Sequence, residues 1–212
     1  GDSNAFILSL LDVAGESRSH ISKTAMDIAK TFFEYLKNQN YGSTHYFMHQ
    51  TVELLLSSFP PQTRLFSTLC GFSLLIRFFP NYIKLHHVRS FLVQAVDVPV
   101  TDVRFTKLLQ RFLNEYLLAN PESEKEAFMH MVYDIICPLS ISIRYVLLEI
   151  AHNLGRPILV DRIEEIEQCP TEVLMIQRFT LAFLCGLQEP YEISPSISTK
   201  IIEFISTRNE SC

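Results

Sequence analysis

Residues 102–118 read DVRFTKLLQRFLNEYLL and place Phe105, Leu108, Leu109, Phe112, Leu113, Tyr116 and Leu117 at alternating steps of three and four. That period is one apolar face of an α-helix, not the two-residue alternation of a half-buried strand. Arg104, Lys107 and Arg111 recur at i, i+3 and i+7 on the opposite side, away from Phe105, Leu108 and Phe112. Such a segment buries its aromatic face in a core and turns its cations toward solvent or a partner.

The same grammar extends in both directions. Between Ser17 and Asn38 it shows from the wet side, where Lys23, Asp27, Lys30, Glu34 and Lys37 recur at three- and four-residue steps with alternating sign. These form a solvated stripe of weak ion pairs. Gln62 to Phe79 and Thr171 to Cys185 are apolar almost all round, and a helix with no wet face has to be enclosed by others. Asn120-Pro121-Glu122 and Ser194-Pro195 each set a capping side chain before a proline at the first helical position. Gly155 and Gly186 fit helix stops after Leu154 and Cys185. Helices are expected at about 4–14, 17–38, 44–58, 62–79, 82–95, 103–118, 121–136, 139–154, 161–168, 171–185 and 195–207. Ala95 to Val100, with Pro99 inside it, reads as a loop.

Helix starts lie about 20 residues apart, so pairs recur at roughly 40, the spacing of HEAT and armadillo arrays. No consensus residues repeat at that period. The expected fold is all-α, a HEAT/armadillo-like helical-repeat stack or an irregular α-helical bundle of about 10–11 helices. A single domain over 1–212 is the expectation, cut from a larger protein because the chain opens Gly1-Asp2-Ser3 without an initiator Met.

Composition narrows the class. The chain has 212 residues, 48% of them hydrophobic, with 16 Phe, eight Tyr, no Trp and only six Gly, enough for a substantial core filled by Phe, Leu and Ile. Arg64 and Arg77 bracket the longest apolar run, Leu65 to Ile76, which falls short of the roughly 18 residues a membrane span needs. The five cysteines, Cys70, Cys137, Cys169, Cys185 and Cys212, are irregularly spaced and sit in apolar text, which suits a reduced, intracellular protein of the nucleus or cytoplasm. Asn209-Glu210-Ser211 matches a glycosylation sequon but is too short a pattern to argue for secretion.

Signs of chemistry are sparse. His45 and His49 lie one helical turn apart, a spacing that can chelate zinc, but the Glu of a zincin is missing and no third ligand is evident. Glu126, His130 and Asp134 align at i, i+4 and i+8, and read as the polar face opposite Phe128, Met131 and Ile135 rather than as an oriented base. His86-His87 reads as part of a charge patch. Phosphate-binding glycine loops and a G-x-S-x-G elbow do not occur in the sequence. No cofactor, no metal site and no enzyme activity is therefore expected.

Charge is the strongest functional clue. The net of −5 divides into −2 over residues 1–60, +5 over 61–111 and −8 over 112–212. Lys84, His87, Arg89, Arg104, Lys107 and Arg111 are the candidate partner-binding residues. They form a basic surface if the helix before 102–118 pairs with it, or they pack against the acidic C-terminal half of the chain. The expected function is a non-catalytic scaffold domain within a larger intracellular complex, binding another protein through an acidic or helical segment. A helical-repeat module that binds nucleic acid through 61–111 is the alternative, opposed by the acidic whole. An enzyme comes third.

Overall fold

The computed structural model describes residues 2–15, 20–39, 42–57, 61–95, 103–136, 138–154 and 199. Among them the fold is all-α: α1 Asp2–Gly15, α2 His20–Asn38, α3 Gly42–Ser57, α4 Pro61–Phe78, a short 3-10 turn Pro80–Tyr82, α5 Leu85–Gln94, α6 Val103–Ala119, α7 Glu122–Ile135 and α8 Ile141–Leu154. Each helix expected between residues 4 and 154 has its counterpart. The segment expected as one helix over 82–95 is broken, because Pro80 starts the 3-10 turn and Ile83 and Lys84 are extended before α5 begins. The helices expected at 161–168, 171–185 and 195–207, the glycine stops at 155 and 186, and the loop over 96–100 lie outside the described residues.

The helices pack in two rows. One row runs α2, α4, α6, α8 and the other α1, α3, α5, α7, each helix touching the next-but-one in sequence. Cross-row contacts join α1 to both α2 and α4, α3 to α4, and α7 to α8. This order is compatible with a helical-repeat stack, although the double grip of α1 is not matched by α3 or α5 among the described residues, so the units are not equivalent.

The centre is α4. Leu65, Leu69, Cys70, Phe72, Leu74, Leu75 and Ile76 are all buried, on every side of the helix, as a segment apolar almost all round requires. Phe72 stacks on Phe112 of α6 at 5.7 Å between centroids and meets Phe91 of α5 edge-on at the same distance. Phe91 in turn lies over Phe105, 6.5 Å away, so one aromatic file links both rows. Offset and edge-to-face pairs of this kind add about 0.5–1.5 kcal/mol each beyond the area they bury.

Polar ties fix the register. Asn4 of α1 donates to Gln50 Oε1 at 2.8 Å and accepts from Thr51 Oγ1 at 3.2 Å, joining α1 to α3 inside the core. Ser22 Oγ donates to the carbonyls of Val13 and Ala14, which α1's own ladder leaves unpaired. At the α6–α7 turn the expected cap shifts by one residue. Pro121 is the N-cap of α7, and the Asn120 amide instead donates backward to Tyr116 O at 2.7 Å, closing α6. Tyr116 completes a clasp by donating its hydroxyl to Glu124 Oε1 at 2.6 Å.

α1 comes close to α4 at Gly15, where an added Cβ would lie 2.8 Å from the backbone nitrogen of Ser67 and clash with the Ser67 hydroxyl. Backbone cannot yield as a flexible side chain can. Gly15→Ala should therefore destabilise the fold by about 1–3 kcal/mol through overpacking, despite alanine's better helix propensity. Urea unfolding followed by circular dichroism measures this; an unchanged or raised midpoint would show that α1 and α4 are not held in this contact.

Candidate partner-binding surface

α6 delivers its cations as its period requires. Phe105, Leu109, Phe112, Leu113, Tyr116 and Leu117 are buried, and Arg104, Lys107 and Arg111 are exposed along the opposite face. The Arg104 guanidinium sits over the Phe66 ring, 5.6 Å from its centroid, so its stem follows the edge of α4 while its charge stays at the surface. Arg111 Nε donates to Glu115 Oε1 at 2.9 Å, which offsets part of its charge. Seven residues beyond Arg111, on nearly the same meridian, Leu118 is 82% exposed.

The other three candidates belong to the opposite row. Lys84, the N-cap of α5, and Arg89, midway along it, are exposed; α5 packs on α3 and α7, whereas α6 packs on α4 and α8. The two helices meet through Phe91 and Phe105. The structure thus places Lys84 and Arg89 in one row and Arg104, Lys107 and Arg111 in the other.

His87 is only 6% exposed, so it stands inside the seam between α5 and α3 rather than on the surface. Its Nδ1 accepts the Lys84 backbone N–H at 3.0 Å, the return half of a capping box. The Lys84 ammonium has no lone pair to supply the other half. With Nδ1 occupied as an acceptor, the ring proton is on Nε2, which faces Glu53 Oε1 at 3.5 Å. Burial, then the adjacent His86, lower the His87 pKa; Glu53 works against them and His49 with them. His86 and His87 pack 3.9 Å apart between ring centroids. Local spacing does not mark Glu53 as its partner, since Glu53 lies on another helix 34 positions away.

The two α3 histidines meet a third ring, that of Tyr82. His45 and His49 are 4.7 Å apart between centroids with rings nearly perpendicular, and both lie about as close to Tyr82. His45 Nδ1 is hydrogen-bonded to the Tyr82 hydroxyl at 2.5 Å. Tyr82 comes from the 3-10 turn, a neighbour that the His45–His49 spacing could not announce. Among the described residues no group of three His, Cys, Asp or Glu side chains could hold a metal ion. Glu126 and Asp134 are exposed and His130 half-buried along the outer side of α7. Cys70 is buried in the core, and burial pushes its thiol up to about 12, only slightly relieved by Arg104. A thiol so far from its thiolate is a poor nucleophile. No helix of the described residues is long and apolar enough to cross a membrane.

Comparison with protein-family models, with curated proteins and with solved structures found no match.

A histidine whose folded pKa lies below the ordinary 6.5 binds its proton more readily when unfolded. Its contribution to stability is complete above that value and declines as the pH falls below it, until the folded pKa is passed. His87→Asn keeps an acceptor for Lys84 N–H but cannot titrate. The fall in melting temperature between about pH 7.5 and pH 5.5 should therefore be smaller in His87→Asn than in the wild type. Equal falls would mean that His87 is not the group responsible.

Proposed function

We propose that this chain is a non-catalytic α-helical scaffold that binds another protein through the basic face of α6. The observation that carries the reading is the alignment of exposed Arg104, Lys107 and Arg111 on one meridian that ends at exposed Leu118. Cations flanking an apolar anchor fit an acidic amphipathic segment, whose carboxylates meet the arginines while one apolar side chain covers Leu118. Arg104 and Arg111 are pre-oriented by Phe66 and Glu115, which lowers the ordering cost of engagement. Lys84 and Arg89, in the other row, contribute to the positive field rather than to the same contact.

The reading extends to a HEAT-like stack acting as a subunit of an intracellular complex, nuclear or cytoplasmic. The two-row order and the irregularly spaced cysteines support it. Nucleic acid is the alternative occupant, since a row of exposed cations also follows a phosphate backbone.

The test is affinity capture from cell extract with the wild type and with Arg104→Glu/Lys107→Glu/Arg111→Glu. The reversed chain should lose the captured protein while keeping its helical signal, at a stability cost of no more than about 1–2 kcal/mol from the Phe66 and Glu115 contacts. Capture that survives all three reversals would remove α6 as the binding face. Capture abolished by nuclease, with steep loss of DNA or RNA affinity in moderate salt, would favour the alternative.

A further inference from the structure

α2 carries three different meridians. Ala25, Ala29 and Phe33 are buried, with the Phe33 ring 6.5 Å from Phe78 and 6.2 Å from Phe79 at the end of α4. Lys23, Asp27, Lys30, Glu34 and Lys37 form the charged side. Between them run Ile21, Ile28 and Tyr35, 66%, 45% and 59% exposed, at seven-residue intervals. Exposed Thr24, Thr31 and Asn38 follow each of them by three. At 100° per residue the Ile28 meridian lies roughly 140° from that of Phe33, on the flank of α2 turned away from α4. Phe6 of α1, itself 51% exposed, enlarges the patch: its ring is 6.1 Å from Phe32, one turn after Ile28.

The rows explain why this flank is bare. α4 lies between α2 and α6, and α6 between α4 and α8, so both have a row neighbour on each side. Among the described residues α2 has one only, on its α4 side. The apolar stripe occupies the place where a further helix of the row would sit. Four large apolar side chains grouped at a surface are more than the scattered exposure ordinary to globular proteins.

We infer that this flank seats a helix of a partner protein, apolar at heptad spacing and bearing Lys or Arg along the edge that meets Asp27 and Glu34. The heptad places Ile21, Ile28 and Tyr35 at a, Thr24, Thr31 and Asn38 at d, and Asp27 and Glu34 at g. The e positions, Ala25 and Phe32, are turned to the fold, Ala25 buried and Phe32 between Phe6 and Phe47, so g is the open edge. The two carboxylates stand on that edge, with Lys23, Lys30 and Lys37 beyond them, farther round the helix from the seam. Glu34 meets Lys30 at 3.9 Å in an exposed pair of little strength. A second copy of this chain fits poorly: in an antiparallel pairing of two α2 helices g faces g, setting Asp27 against the other copy's Glu34. A basic edge answers both carboxylates. Threonine at d makes the seam weaker than an all-aliphatic one, which suits an exchangeable partner.

This inference is independent of the α6 surface. Its test uses two fluorescent synthetic helices of roughly 21 residues, identical in their Leu a and d positions and differing only in flanks of Lys or of Glu. In anisotropy titrations against the whole chain, the Lys-flanked helix should bind at least about tenfold more tightly than the Glu-flanked one, with an advantage that shrinks in salt. Ile28→Asp, at an exposed position and with an unchanged melting temperature, should weaken it at least as much; the triple reversal on α6 should not. Equal binding of the two helices, binding of neither, or binding untouched by Ile28→Asp would overturn the inference. So would a concentration-dependent dimer in light scattering that Ile28→Asp dissolves, which would make the occupant a second copy.

Discussion

A helix without a wet face cannot be left at a surface, and α4 is such a helix. Burying Leu69, Phe72 and Leu75 on its several sides calls for neighbours in every direction, and α1, α2, α3 and α6 supply them. Each fully buried side chain of that size contributes about 1.5–3 kcal/mol over its exposed state, so the enclosure of α4 is a large demand on the fold. The amphipathic helices answer it with one face each, and what their other faces carry is what the molecule offers to solvent.

Those outer faces are not alike. On α6 the contrast between buried aromatics and exposed cations is sharp, and two of the three cations are steadied by neighbours, Phe66 and Glu115. On α2 the apolar surface wraps beyond what α1 and α4 cover, and Asp27 and Glu34 stand along its open edge. The two proposed surfaces differ in the charge of the ligand each would take, so two partners would not compete for one face. Between the faces, the α3–α5 seam holds His87 neutral and dry, with its two ring nitrogens committed in different directions.

The fold was legible where local periodicity and burial agree. The 102–118 segment announced α6 because its apolar steps continue over the whole helix, and the Gln62 to Phe79 text announced an enclosed α4 because its apolar residues fall on nearly every side. What failed to show depended on residues distant in sequence. His87 looked like a surface cation between Lys84 and Arg89, but Glu53 and the α3 packing decide its position. Asn120 has the chemistry to cap either the helix before it or the one after; the structure shows it serving α6. Nothing in the sequence sets Ile21, Ile28 and Tyr35 apart from residues of a core, and only the order of the rows reveals that their flank is uncovered. The charge segregation pointed to α6 correctly as an exposed basic face, yet could not tell that α5 lies in the other row.

The clasp at the α6–α7 turn has a mechanical meaning. Asn120 binds back to Tyr116 O, and the hydroxyl of that same tyrosine reaches forward to Glu124, so the end of one helix and the start of the next share a residue in both bonds. A pull applied to the outer end of α6 near Leu118 cannot unwind the last turn without also breaking the hold on α7. Fraying at the end of α6 would therefore loosen the start of α7 as well, so the two helix ends are stabilised together through one tyrosine.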